Sequence, residues 1–191
     1  VQGQFNTGPI QHKVLFGVDY AHMDSSNLIR FSALAGILSP IDIFDPDYSV
    51  VPEPPAETIP LLSDTRITRN RLGIYLQDQI DILDNLILVA GLRYDTVDQD
   101  TTERVAGTTT NQYDDALTPR IGIVYQPIEP LSLYANYAQS FNPNNGTDID
   151  NQPFDPEQGD GFEVGVRAEL IEGRLAANLA YFDITKQNVL T

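Results

Sequence analysis

The sequence contains no cysteine and no tryptophan, and positive charge is scarce. Without cysteine, a disulfide scaffold and a thiolate metal site are both excluded. The 27 acidic residues against 11 basic ones give a net charge of −16. Binding to DNA or RNA needs a basic surface that displaces counterions from the phosphates. We therefore exclude nucleic acid as a partner.

Long hydrophobic runs are also missing. A membrane helix needs roughly 20 consecutive apolar residues, and the longest apolar stretch, 80–92, is interrupted by Asp81, Asp84 and Asn85. If this chain spans a membrane, it must therefore do so with β-strands.

Histidine is scarce as well, since His12 and His22 are the two in the chain. Neither belongs to a local Ser-His-Asp or Cys-His motif of the kind that nucleophilic catalysis uses. We expect no catalytic residues and no enzymatic activity.

Apolar and polar residues alternate with the period of two that is typical of β-strands. In 13–23, Val14 and Phe16 lie on one face, the apolar face, while Gly17 and Asp19 lie on the other, the polar face. Each such segment is close in length to a tilted strand that crosses a bilayer, which has about 9–11 residues. The pattern predicts about seven strands, of which the last has ambiguous facing: 13–23, 71–82, 86–96, 117–126, 131–140, 162–170 and 174–185.

Short and long connections alternate strictly between these strands. The short ones lie at 83–85, 127–130 and 171–173, and the long ones at about 24–65, 98–114 and 141–160. In an antiparallel up-and-down meander, alternate connections lie at the same end of the sheet. We therefore predict an all-β meander with tight turns at one end and long loops at the other, which is the layout of outer-membrane barrels.

The two faces differ in a way that suits a membrane wall. The apolar face is aliphatic and often ends in tyrosine, whose ring and hydroxyl suit a headgroup boundary. Its tyrosines are Tyr20, Tyr94, Tyr125 and Tyr137. The polar face carries a predicted charge ladder with a structural role, formed by Arg93, Asp95, Arg120, Glu163, Arg167 and Glu169. A soluble sandwich with one wet face is the alternative.

The first long loop contains three closely spaced carboxylates, Asp42, Asp45 and Asp47. Their spacing differs from the alternating carboxylates and glycine of a calcium loop. Charge clusters of this kind usually face water, so we predict no metal site.

Several stretches resemble TonB-dependent siderophore receptors of the ferrichrome-receptor type. They cover nearly the whole chain outside the first two long loops, and their order is more specific than any one of them. The matching letters are QHKVLFGVDY at 11–20, GIYLQDQ at 73–79, LVAGLRYD at 88–95, LTPRIGIVY at 117–125, LYANYAQSF at 133–141, PFDPE at 153–157, FEVGVR at 162–167 and AYFDITKQNV at 180–189.

This resemblance implies a 22-stranded barrel in the bacterial outer membrane that is closed by a plug domain. It implies uptake of ferric siderophores with energy from the TonB–ExbB–ExbD system, which the plug contacts. Residues 1–191 would then be a partial barrel domain from the C-terminal part, a fragment without the plug. The iron would travel as a ferric siderophore with its coordination shell already filled, so no directly bound cofactor is expected.

Aromatic residues at the external end of the lumen would contact such a ligand. The candidates are Tyr113 and Phe141 at strand–loop junctions and Phe154 in the third long loop. Two other functions stay open at this point: a soluble all-β binding or adhesion domain, and a porin-like passive channel.

Overall fold

The computed structural model describes residues 1–31, 42–46, 55–144, 146–150, 152–171 and 174–190. Asp47 of the acidic triplet and the centre of the predicted turn at 171–173 lie outside these residues.

Eight antiparallel strands form one sheet in which the spatial order equals the chain order. The predicted meander is therefore confirmed, with one strand more than the seven expected. The additional strand is the first, whose letters QGQFNT lack apolar alternation. The strands are β1 Gln2–Thr7, β2 Ile10–Arg30, β3 Leu61–Leu83, β4 Leu86–Glu103, β5 Thr108–Ile128, β6 Leu131–Asn142, β7 Glu157–Leu170 and β8 Leu175–Gln187.

The predicted boundaries of the long loops differ from the structure. Residues 98–114 are mostly strand, because β4 continues to Glu103 and β5 begins at Thr108, with Gly107 at φ 69° in the turn between them. This segment is rich in threonine, which favours strands. Because both of its faces are polar, it shows no alternation of apolar and polar residues, and the sequence pattern does not predict these strand ends. β2 continues to Arg30 and β3 begins at Leu61, whereas β6 continues to Asn142 and β7 begins at Glu157, so the flanking strands extend into the predicted first and third loops.

The first loop contains a short 3₁₀ turn, Ala56–Thr58. Within the described ranges, no helix is both long enough and apolar enough to pass through a bilayer.

The chain divides into two compact units. The first contains Val1–Ala21, Arg71–Asp98 and Tyr113–Thr191, and the second contains His22–Asn70 and Gln99–Gln112.

In the first unit, strand register keeps the two faces separate. Tyr137 pairs with Phe162 and Val164 with Tyr181 on the apolar face, while Asn136 pairs with Glu163 on the polar face. The same register settles the facing of β8. Leu179 and Tyr181 lie on its apolar face, whereas Asn178, Phe182 and Ile184 lie on its polar face.

The second unit is organised around the carboxylate of Glu103, the last residue of β4. The hydroxyls of Ser63 and Thr65 donate to Glu103 Oε2 at 2.6 and 2.7 Å, and the Asp64 and Val105 amides donate to Oε1 at 2.9 and 3.0 Å. These donors stabilise the ionised carboxylate. The Ser63 hydroxyl, followed by the Asp64 amide and the Thr65 hydroxyl, lowers the pKa of Glu103 to about 2. The carboxylate thereby ties the end of β4 to the start of β3.

These contacts predict an acid-sensitive second unit. Because the folded pKa of Glu103 is about 2 and its ordinary value is 4.5, its stabilising contribution is complete above the ordinary value and is lost as pH falls toward the folded one. Amide hydrogen exchange at Asp64 and Val105 should therefore accelerate, relative to intrinsic rates, between these pH values. In Glu103→Gln protection at these amides should be weak already at pH 7 and almost independent of pH. Equal protection in both proteins would contradict the role given to the carboxylate.

Candidate functional site: the ion-paired polar face

Arg93 is the centre of an ion-pair network on the polar face of the first unit. Its Nε and Nη2 donate to the two carboxylate oxygens of Asp95 at 2.7 and 2.6 Å. Its Nη1 and Nη2 donate to Asp19 at 2.8 and 3.1 Å. Arg71 completes the network through bonds of 3.2 and 3.3 Å to Asp95 Oδ1. Two guanidinium groups and two carboxylates thus neutralise each other across β2, β3 and β4.

The Asp95 side chain is only 3% exposed, although it lies on a polar face. A carboxylate removed from water in this way is stable when it is paired and fully hydrogen-bonded. Both Arg71 and Arg93 bond it, so the network is a tightly held part of the wall.

Two glycines make room for this network. A Cβ at Gly73 would lie 2.0 Å from Arg93 Nη2, and one at Gly17 would lie 2.3 Å from the Tyr75 ring. The Arg93 guanidinium in turn lies 5.6 Å from the centroid of the Tyr75 ring, within the range of a cation–π contact. The glycines therefore let both long side chains lie flat along the polar face.

The predicted ladder is only partly a set of ion pairs. Arg93 and Asp95 pair closely, whereas Arg167 and Glu169 are 3.6 Å apart and mostly exposed. Glu163 accepts a hydrogen bond of 2.6 Å from the Tyr134 hydroxyl. The Arg120 side chain has no ion pair or hydrogen bond with any residue that the structure describes.

Asp19 and Arg71 were absent from the predicted ladder. Asp19 had a usable signal, because alternation in β2 places it on the polar face beside Gly17. The contact of Arg71 with Asp95 depends on the pairing of β3 with β4. Alternation within a single strand does not reveal that pairing.

Two of the three candidate ligand aromatics lie on the apolar face. Tyr113 shares this face with Leu117, and its neighbour Asp115 accepts a 3.3 Å hydrogen bond from the Tyr94 hydroxyl. Phe141 pairs with Gln158 on the side that carries Tyr137. Tyr113 and Phe141 were expected at the external end of the lumen, and the structure places both side chains on the face opposite to the polar face.

Phe154 lies in the third loop, which is held by backbone and side-chain contacts. Its amide donates to the Gly146 carbonyl at 3.4 Å. The Asn144 amide group donates to the carbonyls of Asp155 and Asn188, at 2.6 and 2.8 Å. Asn188 Nδ2 donates to the Pro156 carbonyl at 3.0 Å. These bonds tie the loop that carries Phe154 to the end of β8.

Within the described ranges, no three His, Cys, Asp or Glu residues come close enough together to hold a metal ion. Asp42 and Asp45 are exposed.

The glycine contacts predict that Gly73→Ala destabilises the protein. The new methyl group would displace Arg93 from Asp19 and Asp95, and overpacking of this kind costs about 1–3 kcal/mol. Urea denaturation of the full-length protein in detergent should show a lower free energy of unfolding. Gly3→Ala is the matched control, because a Cβ there meets nothing within 4 Å. Equal stability of the two variants would show that Arg93 is free to move.

Comparison with solved structures supports the fold. The ferric preacinetobactin receptor BauA from Acinetobacter baumannii aligns with a TM-score of 0.75 at 24% identity, over 96% of this chain and 27% of that one. The unliganded ferric citrate transporter FecA also aligns with a TM-score of 0.75, at 22% identity over 97% of this chain and 26% of that one. Both likenesses concern the fold alone.

Sequence comparison is more specific. The metal-pseudopaline receptor CntO of Pseudomonas aeruginosa (strain UCBPP-PA14) is 37% identical over 200 residues, covering 99% of this chain and 27% of the relative. The ferrichrome outer membrane transporter/phage receptor of Escherichia coli (strain K12) is 31% identical over 194 residues, covering all of this chain and 25% of the relative. These relatives are a receptor and a transporter, and the chain spans about a quarter of their length. The family model described as "TonB dependent receptor-like, beta-barrel" matches residues 1–191, and the chain belongs to this family of outer-membrane β-barrels.

Proposed function

We propose that this chain forms part of the wall of an outer-membrane receptor that imports metal–chelate complexes, in the first place ferric siderophores, with energy from TonB. In this proposal the apolar face contacts lipid and the polar face lines the lumen. The metal is cargo that travels within its chelate. The plug domain and the contact with the TonB–ExbB–ExbD system belong to other parts of the complete receptor.

The observation that carries this proposal is that large apolar side chains are exposed while several polar side chains are buried. Large apolar side chains are exposed along the sheet, including Leu76 at 53% and Leu179 at 74%. In the part of the chain that the structure describes, Val97 is the one buried hydrophobic residue, whereas Asp95, Gln99 and Gln112 are buried polar ones. A soluble sandwich buries its apolar face, but a membrane wall exposes it to lipid. The burial pattern therefore favours the membrane wall over a soluble binding domain.

Among the aromatic candidates, we propose Phe154 as the ligand contact. Its amide donates a hydrogen bond to the Gly146 carbonyl within a loop that we place at the external end, and its aromatic ring offers a flat apolar surface to a bulky chelate. Tyr113 and Phe141 instead fit the headgroup boundary of the lipid, because they share a face with Tyr94 and Tyr137.

Energised uptake separates a TonB-dependent receptor from a passive channel. Cells that produce the full-length protein should accumulate ⁵⁵Fe supplied as ferrichrome, ferrioxamine B or pyoverdine, or a radiolabelled metal supplied with pseudopaline. Accumulation of at least one chelate should disappear when tonB is deleted, because a closed receptor opens only when energy is transmitted to it. Uptake that persists without TonB would identify a channel and contradict the proposal.

The role of Phe154 can be tested with the same chelate. We expect Phe154→Ala to weaken its binding to the full-length receptor by a factor on the order of ten, because an aromatic contact is lost. Tyr113→Ala is the control, since its side chain lies on the apolar face of β5, and it should bind like the wild type. Isothermal titration in detergent measures both affinities, and the reverse order of effects would make Tyr113 the ligand contact.

A further inference from the structure

Four arginines lie on the polar face of the first unit, and their electrostatic environments differ. Arg71 and Arg93 share Asp95, and Arg167 lies 3.6 Å from Glu169. Arg120 differs from these three, because no described residue offers its side chain a carboxylate within 4.0 Å or a hydrogen bond. In a chain with a net charge of −16, this unpaired cation is unexpected.

Small residues surround the Arg120 side chain. Its stem lies over Gly91, where an added Cβ would be 2.8 Å from Arg120 Cγ and 3.1 Å from Cδ. Arg120 pairs across the sheet with Ala138, and Gly122 pairs with Asn136. Glycine and alanine therefore leave space around the guanidinium where larger side chains would enclose it.

This space is a shallow trough on the wall with a volume of about 570 Å³. Its lining includes Gln77, Gly91, Arg93, Thr118, Arg120 and Ala138. The guanidinium of Arg93 is already saturated by Asp19 and Asp95. Arg120 is thus the cation of this trough whose donors remain available, and the amide of Gln77 and the hydroxyl of Thr118 are neutral hydrogen-bonding groups on the same lining.

We propose that Arg120 is an anion-binding residue of the polar face and that its partner is a carboxylate. The guanidinium presents a planar fork of donors that matches a carboxylate in two parallel hydrogen bonds. Such a pair is strong where low-dielectric walls limit screening by water. The inference rests on the proposed function in one respect, namely that the polar face lines a lumen.

The carboxylate has two possible sources. One is a carboxylate-bearing metal chelate that passes along the wall, and the other is an Asp or Glu side chain of the receptor's own plug, which lies outside residues 1–191. The chemistry at Arg120 is the same in both cases, so separate measurements have to distinguish them.

The first measurement is chelate binding to the full-length receptor. Arg120→Gln keeps the size and polarity of the side chain but removes the charge. If the chelate supplies the carboxylate, this variant should bind ferric citrate more weakly by a factor on the order of tenfold to hundredfold. Its affinity for ferrioxamine B, a hydroxamate chelate without a carboxylate, should be unchanged. Arg120→Lys keeps the charge without the fork and should fall between the wild type and Arg120→Gln.

The second measurement concerns the closed receptor without any chelate. If the plug supplies the carboxylate, Arg120→Gln should loosen the closed state. Cells that produce this variant should then become permeable to vancomycin, which the outer membrane normally excludes, and Arg120→Lys should partly restore the barrier. Because this measurement needs no chelate, it still tests Arg120 if the wild type binds neither iron chelate and the proposed cargo is wrong.

Arg167→Gln is the control in both measurements, because its ion pair with Glu169 is long and solvent-exposed and such pairs contribute little. Arg120 is confirmed as an anion-binding residue if its Gln variant differs from this control in either measurement in the direction given above. Identical behaviour of Arg120→Gln and Arg167→Gln in both measurements would overturn the proposal.

Discussion

Separation of an apolar face from a polar face along its strands is the constraint on which the structure of the first unit depends. Successive side chains of a strand point to opposite sides, so the register of one strand on the next decides whether a whole set of side chains meets lipid or lumen. Tyr137 opposite Phe162 and Asn136 opposite Glu163 show that this register is maintained. A slip of one position between β6 and β7 would move Glu163 and Arg167 to the apolar face.

The ion-pair network follows from this separation. Arg93, Asp19 and Asp95 come from β2 and β4, and they meet because their strands present the same face at the same level. Gly73 lies between them on β3, and its missing side chain is what lets the Arg93 guanidinium cross the sheet. A ladder of charges along single strands is therefore an incomplete description, since the strongest contacts run across the strands.

The sequence predicted the meander, the tight turns at 83–85 and 127–130, which the structure narrows to 84–85 and 129–130, and the facing of most strands, because those features produce apolar alternation. It did not predict the extension of β4 to Glu103, where both faces are polar, or the pairing of Arg71 with Asp95, which depends on the register of two strands. The face of Tyr113 has a sequence signal, because Tyr113 is four residues from Leu117 and alternation places both side chains on one face of β5.

The surroundings of the two guanidinium groups explain why Arg93 is paired and Arg120 is not. Both arginines lie on the polar face, and both stems cross a glycine, Gly91 for Arg120 and Gly73 for Arg93. Arg93 reaches two carboxylates and becomes part of the wall, whereas none of the residues that line the trough with Arg120 carries a carboxylate. A guanidinium that the wall itself leaves without a carboxylate remains free to bind one that arrives from the lumen. Neutralised and unpaired arginines therefore divide the polar face into a part that stabilises the wall and a part that is open to a partner.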